Sequence, residues 1–243
     1  MLTKVKILVL SGYGLNCEEE TALGFNLAGG QAEIGHINDL ISQDKKLADY
    51  QILVFPGGFS YGDDLGSGYA FANRVKNNLW SELTEFINKD KLVLGICNGF
   101  QILVKLGLMG EVALRWNDNP KYIDTWVKLK VMGKTPWLKG IKELSLPVAH
   151  GEGKFFGQGE IKPVLKYINH TNPNGSREDI AGITDQTGRI LGMMPHPERA
   201  LFLTQLPDWP LLKEKLLRAG KPLPKFGPGL QIFKNGINYF QNL

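Results

Sequence analysis

Residues 92–103, LVLGICNGFQIL, join an apolar run to an amphipathic pattern through a cysteine enclosed by glycines. The run at 91–96 has the length and apolar character of a strand buried on both faces, and the pattern after Gly99 is helical. Gly95 and Gly99 permit a sharp turn between the two elements, as in a nucleophile elbow. The stretch therefore predicts a βα unit that presents Cys97 at the strand-to-helix junction.

The rest of the chain repeats this alternation. Strand-length apolar runs occur at 5–10, 51–55 and 189–194, and a helical stretch occurs at 18–28. Such alternation is typical of a parallel sheet with helices on both faces. After Gly110 the pattern changes to mixed strands, and the last residues have the spacing of a packing helix. We therefore expect a single α/β domain over residues 1–243, flavodoxin-like and doubly wound, with a mainly parallel sheet and an additional mixed β region.

Charge and cysteine content limit the functional class. The net charge is +4, and the 28 lysines and arginines are spread along the chain, so no nucleic-acid or membrane partner is expected. No apolar run reaches the roughly 20 residues of a membrane span, and a cytoplasmic location is expected. There Cys17 and Cys97 stay reduced, so a disulfide is not expected. Residues 207–229, rich in proline and lysine, are expected to form an extended surface excursion.

Cys97 has the setting of a nucleophile, because the following helix start favours a thiolate. A buried structural cysteine is the alternative interpretation. Among the four histidines, His196 follows a buried strand within GMMPHPER, where the flanking prolines favour extended backbone. Residues two apart in an extended segment share a side, so Glu198 can orient the imidazole of a base at His196. The alternative is a proline-stiffened loop with an incidental histidine.

Donors for an oxyanion follow another predicted strand. The Gly57-Gly58 pair allows backbone N–H groups to approach a ligand closely, and the N–H of Asn98 directly follows the cysteine. A phosphate cradle is a weak alternative, because no Lys-Ser or Lys-Thr pair follows at the required spacing. A nicotinamide site after the first strand is also discounted, since Cys17 occupies the third glycine position of that fingerprint.

Five segments in order resemble a known family. FPGGFSYGDD (55–64), GICNGFQIL (95–103) and GMMPHPERA (192–200) resemble the triad-type class I glutamine amidotransferases. More narrowly, HGEGKF (150–155) and NPNGS (172–176) are similar to the glutaminase components of phosphoribosylformylglycinamidine synthases.

The resemblance implies roles for particular residues. It implies that Cys97 is the nucleophile, His196 the base and Glu198 its orienting partner, and that the backbone amides of Gly58 and Asn98 form the oxyanion hole. The implied substrate contacts are Gln101, Phe59, His150 and Glu152. No metal ligand is assigned.

The implied reaction is hydrolysis of glutamine through a cysteine thioester, with ammonia passed to a synthetase subunit. A small accessory subunit is a further candidate partner. ATP and Mg are expected at the synthetase, with no cofactor bound by this chain. The alternatives are a cysteine hydrolase or peptidase of the same fold type, a glutaminase serving another synthetase, and a non-catalytic regulatory module. Because Cys17 lacks a comparable base or helix start, a glutamine-like chloroketone is expected to label Cys97 alone.

Overall fold

The structure, a computed structural model, describes residues 4–241 and has strands and helices throughout. In chain order the elements are β1 (Lys6–Ser11), α1 (Glu18–Leu27), β2 (Gln31–His36), α2 (Ile37–Ile41), β3 (Ile52–Phe55), α3 (Tyr69–Asn88), β4 (Leu92–Ile96), α4 (Asn98–Leu106), β5 (Val112–Trp116), β6 (Ile123–Val131), β7 (Glu143–His150), β8 (Glu152–Gly157), β9 (Lys162–Tyr167), β10 (Ile180–Thr184), β11 (Ile190–Met193), α5 (Trp209–Arg218) and α6 (Leu230–Gln241).

The main sheet has nine strands in the order β2-β1-β3-β4-β11-β10-β9-β6-β7. The first five pair in parallel, in the order typical of flavodoxin-like folds, and their residues are almost all buried from β1 inward. The last four strands extend this sheet in antiparallel pairing. Strands β5 and β8 form a separate antiparallel pair. The predicted α/β class is confirmed, and the mixed β region consists of this extension and the small pair.

Helices cover the parallel strands on both faces. Helix α4 packs closely against glycines of β4 and β11. A Cβ on Gly95 would lie 2.5 Å from Leu103, and one on Gly192 would lie 2.1 Å from Phe100. Ile7 of β1 faces the opposite side, where its Cδ1 lies beside Ile237 of α6. Helix α6 packs there against α1.

The segment at 207–229 differs from the expectation of an extended chain. It contains α5, in which no residue is buried. Helix α5 has apolar and basic residues at helical spacing, a pattern that the prolines around it obscure in the sequence. Within residues 4–241, no helix combines the length and hydropathy that a membrane crossing needs.

Candidate active site

Cys97 occupies a strained elbow between β4 and α4. Its backbone has φ 49° and ψ −105°, a conformation that residues other than glycine rarely adopt. The flanking glycines are required sterically, because a Cβ on Gly99 would lie 1.8 Å from the carbonyl oxygen of Phe55. The Cys97 N–H donates to Met193 O at 2.8 Å, which joins the elbow to the end of β11. The thiol is thus held at the carboxyl edge of the sheet, and only 4% of the residue is exposed.

His196 and Glu198 follow β11 at the same edge. Nδ1 of His196 lies 2.5 Å from Oε1 of Glu198, and both side chains are buried. The local backbone differs from the extended segment expected, since Pro197–Arg199 forms a 3-10 turn that brings the carboxylate to the ring. Burial alone would lower the pKa of His196, but the Glu198 carboxylate, followed by the Cys97 thiol, outweighs burial and holds that pKa well above its usual value. The pair can therefore hold and release a proton beside Cys97.

The Gly57-Gly58 turn lies above this pair, at the end of β3. A Cβ on Gly57 would lie 2.9 Å from Cε1 of His196, so only glycine leaves room for the ring. Gly58 has φ 152°, and a Cβ there would meet the backbone of Gly14 and Leu15 at 2.6–2.7 Å. The Gly57 carbonyl accepts the N–H groups of Asn16 and Cys17 at 3.1 and 3.2 Å. The turn is thereby fixed to the loop after β1.

Asn98 joins three parts of the site through its buried side chain. Its Oδ1 accepts the Ser60 N–H at 3.1 Å, and its Nδ2 donates to Gln101 Oε1 at 2.8 Å. The Gln101 amide in turn donates to the Glu152 carbonyl. Since Asn98 is the first residue of α4, its own N–H has no partner within the helix. That N–H is available to a ligand next to Cys97.

His150 and Glu152 lie at the facing ends of β7 and β8. His150 Nδ1 is 3.1 Å from Asn117 Oδ1, and burial, followed by the charge of His196, lowers the His150 pKa to about 4. A carboxylate oxygen of Glu152 accepts the Ser67 N–H at 3.3 Å. Within residues 4–241, Glu152 forms no salt bridge, so its charge is available to a cationic group.

Phe59 lies apart from this buried set. It is 42% exposed, and its ring centroid is 6.1 Å from that of Tyr122, which is 53% exposed. Burial, followed by the charge of Cys97, raises the pKa of Tyr122. These two aromatic rings therefore border the entrance to the cysteine rather than lining a closed pocket.

Two functional candidates, Asp63 and Arg199, were missed by sequence reasoning. Asp63 accepts the Asn98 amide at 3.3 Å, and burial, together with the Glu152 carboxylate, raises its pKa. Arg199 donates to the Cys17 sulfur at 3.2 Å. Cys17 is also the N-cap of α1 and adjoins the His196 imidazole. The sequence did not reveal these contacts around Cys17, because they join residues far apart in sequence.

Comparison with known proteins places this geometry in a family. The profile of the CobB/CobQ-like glutamine amidotransferase domain matches residues 4–240. The phosphoribosylformylglycinamidine synthase subunit PurQ of Methanococcus maripaludis (strain S2) is 50% identical, with 97% of each chain covered. PurQ of Dehalococcoides mccartyi is 39% identical, with 98% of each covered. A chain in the structure of PurLQS from Thermotoga maritima superposes with a TM-score of 0.80 at 30% identity, covering 98% of this chain and 100% of that one.

Proposed function

This chain belongs to the CobB/CobQ-like glutamine amidotransferase family, and from that premise we propose that it is the glutaminase subunit of a phosphoribosylformylglycinamidine synthase. The proposal is supported by two relatives named phosphoribosylformylglycinamidine synthase subunit PurQ, which are 50% and 39% identical over nearly the whole chain. It places the protein in purine biosynthesis, in the cytoplasm, beside an ATP-dependent synthetase subunit. A small accessory subunit is part of the same proposal, as are ATP and Mg at the synthetase.

The observation that carries the chemistry is the elbow of Cys97 beside the His196–Glu198 pair. A cysteine at a backbone φ of 49° is held by the surrounding fold in a conformation that costs free energy, which is common at reactive positions. The ring beside it has one nitrogen fixed by a carboxylate at 2.5 Å. This arrangement supplies a nucleophile, a base and the residue that orients the base.

In the proposed reaction the Cys97 thiolate attacks the side-chain amide carbon of glutamine. The carbonyl oxygen becomes an oxyanion that the N–H groups of Gly58 and Asn98 stabilise. His196 donates a proton to the departing nitrogen as the C–N bond breaks. Ammonia leaves, and a glutamyl thioester remains on Cys97.

In the second half His196 removes a proton from water, which attacks the thioester carbon. The C–S bond breaks, glutamate leaves, and the Cys97 thiolate is restored. Ammonia passes to the synthetase, which uses ATP to convert the formylglycinamide ribonucleotide into the amidine. Glu198 keeps the imidazole in one orientation through both halves.

Substrate recognition is proposed to use the polar network around α4. Glu152 and Asp63 are two neighbouring carboxylates without a salt-bridge partner within residues 4–241. The α-ammonium group of glutamine would offset part of the negative charge of such a pair. Gln101 and His150 complete the buried wall, and Phe59 covers the entrance.

Replacing Cys97 tests the proposal directly. In the complex of this chain with its synthetase, Cys97→Ala and Cys97→Ser are expected to abolish glutamine-dependent synthesis and to leave synthesis from added ammonium intact. The assay measures amidine formation from each nitrogen source. Loss of both activities would show that Cys97 serves folding or assembly instead.

Peptide substrates and unrelated ammonia acceptors are the controls for specificity. We expect that glutamine is hydrolysed and that peptides are not cleaved. Cleavage of peptides at a comparable rate would support a cysteine peptidase of the same fold type instead.

A further inference from the structure

Three groups that can bind a metal lie together beside the catalytic cysteine, on Cys17, His196 and Glu198. The Cys17 sulfur, a ring nitrogen of His196 and a carboxylate oxygen of Glu198 all lie within 4.8 Å of one another. The three residues are 2%, 1% and 0% exposed. Thiolate, imidazole and carboxylate are the ligands that zinc takes in proteins. The cluster therefore has the donor chemistry of a zinc site, in a place shielded from water.

One oxygen of this cluster has no hydrogen-bond partner. In the part of the chain that the structure describes, Oε2 of Glu198 is buried without one. Gly57 lies against the same groups, since a Cβ on it would lie 3.2 Å from the Cys17 sulfur and 2.9 Å from the His196 ring. Buried polar atoms usually have partners, so this oxygen is available to a ligand.

Arg199 now supplies the positive charge at this position. Its Nη2 donates to the Cys17 sulfur at 3.2 Å, and its Nε lies 3.9 Å from Oε1 of Glu198. The Arg199 side chain is 40% exposed, whereas the residues that it contacts are buried. It can therefore turn into solvent and leave the thiol and the carboxylate to another cation.

We propose that Cys17, His196 and Glu198 bind a zinc ion in place of the Arg199 guanidinium, and that this binding switches off the glutaminase. Zinc bond lengths of about 2.0–2.3 Å require the three donor atoms to rearrange around the ion, and the hydrogen bond between His196 and Glu198 is replaced by bonds to the metal. Cys17 and His196 each release a proton to solvent as the bonds to sulfur and nitrogen form. Water completes the coordination.

Inhibition follows because the metal removes His196 from Cys97. With a ring nitrogen bound to zinc and the bond to Glu198 lost, the imidazole no longer moves protons for the nucleophile. Cys97 is not a ligand in this arrangement, which distinguishes it from capture of metal by the reactive thiol. The inhibitory effect rests on the proposed function, whereas binding of the metal does not.

Binding can be measured on the full chain with Co²⁺ as the probe. Wild type and Cys97→Ser are expected to bind one Co²⁺ with a thiolate-to-metal charge-transfer band, which added Zn²⁺ removes by displacement. Cys17→Ser is expected to lose the band and to bind at least about tenfold more weakly. Retention of the band in Cys17→Ser, or its loss in Cys97→Ser, would overturn the assignment.

Arg199→Gln provides the opposite change and guards against a folding defect in Cys17→Ser. It removes the competing cation, so Co²⁺ is expected to bind at least about tenfold more tightly than in wild type. Arg218→Gln is the matched control, because the Arg218 side chain is 82% exposed on α5. Unchanged affinity in Arg199→Gln would contradict displacement of the guanidinium.

Inhibition is then measured in the assembled synthase complex. Zn²⁺ is expected to stop glutamine-dependent but not ammonium-dependent synthesis, and a chelator is expected to restore it. Each variant is compared with its own rate without metal, and Cys17→Ser is expected to need at least about tenfold more Zn²⁺. Equal sensitivity of wild type and Cys17→Ser would reject the switch. Absence of glutamine-dependent synthesis without Zn²⁺ would instead reject the proposed function, and the Co²⁺ titration would still decide the metal site.

Discussion

Nδ1 of His196 lies 2.5 Å from Oε1 of Glu198, and the 3-10 turn at Pro197–Arg199 places the carboxylate there. The carboxylate fixes both the orientation of the ring and the nitrogen that carries its proton. Glu198→Gln keeps the shape of the side chain but removes its charge. We expect glutamine-dependent synthesis to fall roughly 10²- to 10⁴-fold. Ammonium-dependent synthesis in the same complex should stay within a factor of two or so of wild type, and a matching fall there would point to misfolding.

Gly57→Ala tests the space above the base. The added Cβ would approach the His196 ring to 2.9 Å and the Cys17 sulfur to 3.2 Å. Because the ring must shift away from Cys97, kcat for glutamine is expected to fall by about 10²-fold. Thermal unfolding of the variant serves as its control, and an unchanged kcat would mean that the ring tolerates the methyl group in place.

Glu152→Gln tests recognition of the glutamine ammonium group. The amide can still accept the Ser67 N–H that now bonds the carboxylate at 3.3 Å, so the fold should be preserved. Loss of a charge-assisted bond is expected to raise KM for glutamine by about 10- to 100-fold, with a much smaller effect on kcat. Asp63→Asn should act in the same direction. If KM is unaffected in both variants, the ammonium group binds elsewhere.

His150 gives a pH dependence of stability. Burial and the charge of His196 lower its pKa in the folded state to about 4, below the unfolded value of 6.5. The unfolded chain therefore binds more protons between these pH values, so this contribution to stability is complete above pH 6.5 and decreases as pH falls towards 4. The slope is at most about 1.4 kcal/mol per pH unit.

His150→Gln isolates that contribution. Denaturant unfolding between the two pKa values should show a smaller pH slope for the variant than for wild type. Asn117 and His196 are the neighbours that face the ring, and the variant leaves both in place. Identical slopes would show that His150 is not the titrating group.

The isolated chain is expected to be a poor glutaminase. Free ammonia without an acceptor wastes glutamine, and a peptide flip at Gly57-Gly58 can present or withdraw an oxyanion donor. The structure adds a cost to that flip, because the Gly57 carbonyl accepts two N–H groups, from Asn16 and Cys17. At about 0.5–1.5 kcal/mol each, these bonds resist an unassisted flip. Glutamine hydrolysis is expected to rise on addition of synthetase, ATP and acceptor nucleotide, and a full rate without them would reject the coupling.

The sequence predicts those parts of the protein that depend on short stretches of chain. The elbow of Cys97 can be predicted because the glycines that this turn requires, Gly95 and Gly99, are close to Cys97 in sequence. The sequence predicts contact of Glu198 with His196 from a different backbone, because the prolines on either side of His196 favour extended geometry. The approach of Arg199 to Cys17 could not be predicted, because it depends on which strands of the sheet are neighbours.

The same limit explains α5. None of its residues is buried, and the prolines around it are typical of loops. Asn117 and Tyr122 carried no local signal, because the strands after β4 bring them to the site only through the tertiary fold.

The pairing of β4 with β11 has a consequence for folding. Cys97 follows β4 and His196 follows β11. The two strands are neighbours in the sheet, although β5 to β10 lie between them along the chain. Non-local parallel pairing of this kind closes late, because a long loop must be ordered first. During refolding, helical signal should therefore return before the thiol acquires its reactivity towards a glutamine analogue. A partly folded chain would carry the nucleophile without its base, and so would not consume glutamine before the sheet is complete.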